Sequence, residues 1–386
     1  MKVSRIGSAS HDYEKQAEAR LSRLSSLPIA GFLFDGISCL VYHQREARMS
    51  SSPSRTGYSN TLLVIDGPTA ESLVSIDEAI VLADLALRKT SDETAQQDIR
   101  RILTLPGAAG TCLSIMYGSA SEAEPFGAKV QSVYPQNFEI GLPSHQGGVL
   151  LFNRQTGRPD ALINATAITG LRTPAASAVA TRALSRPDAC ELTLIGYGEQ
   201  AERHIATIRA VRNISRVRVW GRNPEKAKFF ADHQTRLGIP TVPYGTARAA
   251  VEGADIVCTV TSAKSPVLMG EWLTPGTHIN AVGASVAALQ EVDLECVKRS
   301  RIWVDYMPMA MAAASDIFEP LEKGIIGPSN LIGEIGAALN GTITGRTSTS
   351  EITLYRSLGV PAQDILFANF IFQKARGLGL GVAVSL

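Results

Sequence analysis

The chain has 386 residues, of which 45% are hydrophobic and 19% charged, enough apolar side chain for sizeable cores and too patterned for wholesale disorder. At roughly 150 residues per domain, that length suggests two domains or three. A formal net charge of +1 and only 6% aromatic residues argue against a protein that holds nucleic acid or an anionic membrane by bulk charge or stacked bases.

Cys39, Cys112, Cys190, Cys258 and Cys296 stand alone, odd in number and without a C-x-x-C pair. Neither a disulfide framework nor a zinc site is suggested, and a reducing cytoplasm fits best. The six histidines show no metal-binding spacing, so no metal site is expected. No apolar leader follows Met1-Lys2, because Arg5, His11, Asp12, Glu14 and Lys15 interrupt it. The charge-free stretch from Ile102 to Ser121 contains Pro106-Gly107, Gly110, Thr111, Ser114 and Ser119. It suits two short strands and a turn better than a membrane span.

Residues 1–60 read as an N-terminal extension: a polar, helical Ser8–Ser26, an apolar Gly31–Val41, and a Ser/Pro/Gly-rich linker, Ser50–Ser59. Leu62–Ile65 is a strand, and Ile76–Leu87 a helix opened by a capping box of Ser75 and Glu78. Strand-like runs follow at Ile99–Leu105, Thr111–Met116, Gly127–Tyr134, Gly148–Phe152 and Ala161–Ile163. One helix among several strands marks residues 61–168 as the first part of a mixed α+β domain. Arg172 stands just before a helix of small residues, Thr173–Ala180, whose N-terminus favours an anion.

From Leu192 strands and helices alternate: Leu192–Ile195, Gln200–Arg212, Val217–Trp220, Pro224–Leu237, Ile256–Val260, His278–Val282 and Ile302–Asp305. Residues 169–314 therefore read as a Rossmann unit, a doubly wound parallel sheet. The alternation stops near Ala314, and residues 315–386, ending in the amphipathic helix Ile365–Leu378, return to the first domain. The expected architecture is α/β, a Rossmann sheet inserted into a mixed α+β domain for substrate binding and dimerisation.

The strongest local motif is Gly196-Tyr197-Gly198-Glu199-Gln200-Ala201, a G-x-G-x-x-A between a strand and a helix. Gly196 permits the tight turn, Gly198 lets backbone N–H groups approach a pyrophosphate, and Ala201 keeps helix and strand close. The second strand ends in Trp220-Gly221-Arg222-Asn223, without the carboxylate that an NAD site usually offers to the ribose. Arg222 can instead fork onto a 2′-phosphate, so NADP(H) is preferred over NAD(H).

Further segments agree with this reading. They are Gly127-Ala128-Lys129-Val130; Pro143-Ser144-His145-Gln146-Gly147-Gly148; Gly170-Leu171-Arg172-Thr173-Pro174-Ala175-Ala176-Ser177; Asn280-Ala281-Val282-Gly283; and Gly345-Arg346 followed by Glu351-Ile352-Thr353-Leu354 and Ser357-Leu358-Gly359. From about Leu62 to the C-terminus the chain resembles the ornithine cyclodeaminase/mu-crystallin family. The resemblance implies an NAD- or NADP-dependent homodimer working on the Cα–N bond of α-amino or α-imino acids. It implies a substrate-binding trio of Arg100, Lys129 and Arg172, with Leu358 beside them. Arg101, next to Arg100, is an alternative for that position. It also implies dinucleotide contacts at Gly148, Thr173, Thr261, Ile279, Asn280, Ala281, Val282 and Ser357. The two arginines suit a carboxylate clamp, and a partly buried lysine can act as acid or base.

Cyclodeaminases of that family carry an aspartate two residues after the glycine of N-A-V-G, and here the position is Ser285. A serine hydroxyl stays protonated at neutral pH and cannot replace a carboxylate base. The expected activity is hydride transfer to or from an imino acid, with Lys129 and Ser285 as the catalytic candidates. A cyclodeaminase with bound NAD that releases ammonia, and a non-catalytic binding protein, are the alternatives. His145 reads equally as a turn hydrogen-bonder, Asp305 and Asp316 as caps, and Met307, Met309 and Met311 as packing.

Overall fold

The computed structural model describes residues 61–107 and 110–385, so the arm and linker read into residues 1–60 lie outside the described residues. The chain opens with β1 (Thr61–Ile65), a short helix Gly67–Ser72 and the helix Ile76–Ser91. The expected capping box is formed: Ser75 Oγ accepts from the Glu78 N–H at 3.3 Å, and the Glu78 carboxylate accepts from the Ser75 N–H at 3.0 Å. Next come β2 (Gln96–Gln97), β3 (Arg101–Thr104), β4 (Cys112–Ser119), β5 (Phe126–Val133), β6 (His145–Phe152) and β7 (Pro159–Asn164). The charge-free stretch is thus a strand, a turn and a second strand, with β3 and β4 antiparallel.

The helix Ala165–Leu184 joins this sheet to the next. It corrects the reading of Arg172, which lies two turns inside the helix rather than before it. The true N-cap is Asn164, whose side chain accepts from the Ala167 N–H at 2.9 Å. Gly170 and Pro174 look like breakers, and an interior proline costs about 3 kcal/mol. Burial of fifteen of the helix's twenty residues outweighs that cost. The N-terminus of this helix, two turns away at Ala165, therefore does not assist Arg172 in holding an anion.

The second sheet begins with β8 (Glu191–Ile195), the helix Glu199–Val211, β9 (Arg216–Trp220), the helix Pro224–Arg236 and β10 (Thr241–Pro243). It continues through β11 (Ile256–Thr259), β12 (His278–Ala281) and β13 (Ser300–Val304). The alternation does not stop near Ala314. Two more strands, β14 (Leu331–Glu334) and β15 (Ile352–Arg356), join the same sheet. Only short helices separate them, Met307–Ala313, Ser315–Glu322 and Ile335–Leu339, so no long amphipathic period announces the pattern. The return to the first sheet is made later, by the helix Pro361–Leu378 and β16 (Val382–Ser385).

The first sheet runs β16–β1–β7–β6–β5–β4–β2, with β3 also on β4, and only its β1–β7 pair is parallel. The second runs β10–β9–β8–β11–β12–β15–β13–β14 and is parallel throughout. The order reverses between β8 and β11, which places the topological switch point, and hence the ligand crevice, at their C-terminal ends. Three helices, Ile76–Ser91, Ala165–Leu184 and Pro361–Leu378, cover one face of the first sheet and share one apolar core with it. Among the described residues the opposite face is apolar and uncovered: Leu103, Tyr117, Val130, Leu162, Val382 and Val384 are 36–65% exposed, and the strand register puts all six on that side.

Candidate active site

The C-terminal edge of the second sheet collects most of the expected cofactor residues. Gly196 ends β8 with φ +116°, where a Cβ would stand 2.9 Å from the Val260 carbonyl oxygen. Only glycine fits there. Gly198 faces open space, and the helix it introduces, with Glu199, Gln200 and buried Ala201 in its first turn, points its N-terminus at that space. A pyrophosphate fits this arrangement, with free backbone N–H groups and the helix dipole behind them. The side chain of Tyr197 lies over Gly221, where a Cβ would collide with the ring, and its hydroxyl accepts from the Asn223 N–H at 3.3 Å. Arg222 is exposed at the end of β9 and forms no hydrogen bond or ion pair with the described residues.

Ile279, Asn280 and Ala281 are buried in β12, with Val282 just beyond it, and the Asn280 amide donates to Thr181 Oγ1 at 2.9 Å. The Ser357 N–H donates to the Ala281 carbonyl at 3.0 Å, which locks the end of β15 to β12. Thr173 Oγ1, on the helix behind this edge, is buried without a hydrogen-bond partner. Such an orphaned hydroxyl is costly unless a ligand completes it, which fits a bound dinucleotide. Gly148 lies on β6 beside Leu162, across from Val130 of β5.

Facing this edge, the first sheet and its helices bring four charged groups together. Alternation along β5 turns Lys129 and Gln131 inward, and Lys129 is 1% exposed. Its ammonium donates to Asp364 Oδ1 at 2.9 Å and to Thr169 Oγ1 at 3.4 Å. Arg172 Nε donates to the same Asp364 Oδ1 at 3.3 Å, and its two terminal nitrogens have no partner among the described residues. Gly359, with φ +83°, covers that guanidinium, and a Cβ there would lie 2.5 Å from it.

Arg100 bridges the two halves of the molecule. It donates to the carbonyl oxygen of Ser285 at 2.9 Å and to that of Leu358 at 2.6 Å. Arg101 instead pairs with Asp98 at 2.9 Å, so the position facing the cluster belongs to Arg100.

Lost hydration is the largest influence on Lys129. Asp364 opposes it, Arg172 and Arg100 reinforce it, and together they push the ammonium down to about 7. Burial and the Arg172 charge lower Arg100 to about 10, which leaves it charged at neutral pH. His145 stands in the open part of the cleft, crowded by protein yet reached by solvent. Partial desolvation, then the charges of Lys129, Arg100 and Arg172, hold its imidazole down to about 4.

Two buried carboxylates, Asp364 and Glu291, escape the sequence reading, and a third, Asp305, reads there as a cap. Asp364 binds both cations and sits in the first turn of the helix Pro361–Leu378, where the Val-Pro-Ala-Gln-Asp pattern signals only a helix start. Glu291 accepts from the Thr261 N–H at 2.6 Å, Thr261 Oγ1 at 2.7 Å, Thr259 Oγ1 at 2.9 Å and the Gly283 N–H at 2.7 Å. It thereby ties the loops after β11 and β12 together. Asp305 caps the loop after β15, accepting from the Leu358 and Gly359 N–H groups at 2.6 and 2.5 Å. Its expected role as a cap agrees with this, whereas Asp316, also read as a cap, caps no helix and instead pairs at 3.0 Å with Arg356, whose guanidinium also braces the carbonyls of Ala281 and Ala284. Met309 and Met311 are packed in the core.

A parallel sheet with a glycine-turned helix N-terminus, facing a buried cluster of acid, base and guanidinium groups, defines a dinucleotide-dependent oxidoreductase. Residues 67–378 match the ornithine cyclodeaminase/mu-crystallin family, and the chain belongs to it. Δ1-Pyrroline-2-carboxylate reductase of Bacillus cereus (strain ZK / E33L) is 36% identical over 322 residues, covering 83% of this chain and 98% of the relative. The structure of Thermococcus litoralis Δ1-pyrroline-2-carboxylate reductase with NADH and L-proline superposes with a TM-score of 0.80 at 34% identity, over 84% of this chain and all of that one. An archaeal alanine dehydrogenase dimer with bound NAD gives 0.78 at 30% identity, over 84% and 99% of the two chains.

Proposed function

We propose that the chain is an NAD(P)H-dependent reductase of α-imino acids, acting on the carbon–nitrogen double bond of a small or cyclic substrate. The observation that carries this reading is the cluster of Arg100, Lys129, Arg172 and Asp364 beside Ser285, at the C-terminal edge of a dinucleotide-binding sheet. The relatives named for Δ1-pyrroline-2-carboxylate support a five-membered cyclic imine as the first substrate to test.

Bound NADH or NADPH supplies the hydride. The free terminal nitrogens of Arg172 and the guanidinium of Arg100 hold the substrate carboxylate and so fix the imine carbon in place. Lys129 gives a proton to the imine nitrogen. Ser285 orients the substrate with one hydrogen bond, and its lack of a carboxylate disfavours deamination. Arg222, unpaired and exposed beyond β9, supports a preference for NADP(H) through its fork on a 2′-phosphate.

The bare apolar face of the first sheet supports a homodimer joined through that sheet, the arrangement in which exposed valines and leucines leave water. Among the described residues no helix is long and apolar enough to cross a membrane. Cys112, Cys190, Cys258 and Cys296 are free thiols, which supports a cytoplasmic location.

The test is oxidation of NADPH and NADH with Δ1-pyrroline-2-carboxylate, and with pyruvate, glyoxylate and oxaloacetate each with and without ammonia or methylamine. Turnover with an imine is the expected result. Ammonia release from ornithine without net cofactor turnover identifies a cyclodeaminase instead.

A further inference from the structure

Three cations gather around one buried carboxylate, with Lys129 and Arg172 buried and Arg100 part-buried. Lys129 and Arg172 both donate to Asp364 Oδ1, while Asp364 Oδ2 is buried without a hydrogen-bond partner. Arg100 stands beside them, its guanidinium anchored, among the described residues, to the carbonyls of Ser285 and Leu358. Counting formal charges, Asp364 balances one of the three cations. Asp305, at the end of β13, partly offsets the two arginines, but its own hydrogen bonds go to the loop after β15. Among the described residues, the other titratable groups facing the cluster are His145 on β6, the Cys112 thiol on β4 and the buried Tyr355 hydroxyl on β15, which burial holds well above its usual range and thus neutral. The cluster by itself therefore has an excess of positive charge, and Lys129 is its member most easily relieved of a proton.

We infer that capture of the substrate carboxylate between Arg100 and Arg172 loads Lys129 with the proton it then delivers to the imine nitrogen, with Asp364 as the fixed counter-charge. The inference rests on the reading of the site as an imino-acid reductase. Without an anion, lost hydration first and then the charges of Arg172 and Arg100 favour neutral Lys129, against the pull of Asp364. A carboxylate set against them cancels much of that repulsion and leaves Asp364 to stabilise the ammonium. The proton comes from solvent as the anion binds.

In the reaction step the ammonium gives this proton to the imine nitrogen. Bound NADH or NADPH would supply the hydride that the imine carbon takes up, as the carbon–nitrogen π pair becomes the nitrogen lone pair. The amine is the reduced product, the nicotinamide is oxidised, and Lys129 is left neutral. A substrate lacking the carboxylate leaves Lys129 uncharged, so the site selects α-imino acids by arming its own acid.

Titration calorimetry of the NADH-loaded enzyme with pyrrole-2-carboxylate, a planar anion that cannot accept hydride, tests this when repeated in buffers of different ionisation enthalpy. With Lys129 at about 7 in the free site, net uptake of about half a proton or more per site is expected near pH 8, fading toward pH 5.5 as the ammonium forms beforehand. His145, held at about 4, would give the opposite profile, with greatest uptake near pH 5, and that result overturns the inference. Lys129→Met should bind the anion without uptake at pH 8, and persistence of the uptake there also overturns it. Binding by the wild-type enzyme with no proton uptake removes the inference but leaves the proposed function standing. Failure of an enzyme that holds NADH to bind pyrrole-2-carboxylate removes the imino-acid reading itself, and the inference with it.

Discussion

The two halves of the molecule meet at one cleft but are built on opposite electrostatic principles. The cofactor edge of the parallel sheet is made mostly of backbone and neutral groups, a glycine turn, its N–H groups and Asn280, with the exposed Arg222 beyond β9. Its buried carboxylates Glu291 and Asp305 hold loops together through backbone N–H groups, and Asp305 also partly offsets the nearby arginines. The mixed sheet instead contributes charged side chains from rigid elements, Lys129 from a strand and Arg172 from the middle of a helix, with Asp364 from a second helix. A dinucleotide is large and is recognised by shape and many weak contacts. A small imino acid offers one carboxylate and one nitrogen, so a few strong charges must do the work.

That contrast can be broken most sharply at Lys129. Lys129→Ala removes the proton donor and one of the cations, and kcat/KM for imine reduction should fall by about a hundredfold to ten-thousandfold. Affinity for NADH, followed by fluorescence, should stay near that of the wild-type enzyme. Equal losses in turnover and in NADH binding would mean that the two halves are not separable.

On the cofactor side, Arg222→Asp should move the ratio of NADPH to NADH efficiency toward NADH by about tenfold to a hundredfold, the worth of a guanidinium–phosphate contact. A wild-type enzyme that already prefers NADH, with a ratio unmoved by the substitution, contradicts the role given to Arg222. At the seam between the halves, Ser285→Ala removes one neutral hydrogen bond, for a loss of about threefold to tenfold in rate. Should it match Lys129→Ala with fold and cofactor affinity intact, serine takes part in the chemistry.

The smallest expected effect is on stability. Burial holds His204 at about 4 and His278 at about 3, both in the parallel-sheet half. A histidine lowered in the folded state binds fewer protons there than in the unfolded chain. Stability should therefore fall as pH drops from about 6.5 toward 4. Thermal melts across this range should show NADH binding lost no later than the fold of the mixed sheet. Loss of the mixed sheet first would reverse the comparison.

Much of this arrangement was legible because its signals are local. The glycine turn at Gly196 and Gly198, the capping box at Ser75 and the alternation along β5 each need only a few neighbouring residues. Arg172 was recognised by its motif, but its helix was started too late, because Gly170 and Pro174 carry a breaker signal that burial overrides. Asp364 was not found because its partners lie 235 and 192 residues away, and from sequence it is one more acid in a first helical turn. Glu291 is similar, since its meaning lies in loops after two different strands. The strands β14 and β15 were missed because the short helices around them bury too little to show a clear period.

The position of β15 also governs how the protein can be made. It lies between β12 and β13, both synthesised before it, so a nascent chain that stops short of residue 352 holds two sheet fragments with no strand to join them. Their inner edges stay open to pairing with other chains until the last tenth of the polypeptide leaves the ribosome. The same late segment brings Leu358 and Gly359 against Arg100 and Arg172. Completion of the sheet and assembly of the anion clamp are then one event, so truncated chains are inert as well as prone to aggregate. Such distant pairing makes for slow maturation, and early chaperone protection will affect yield more than any single surface residue.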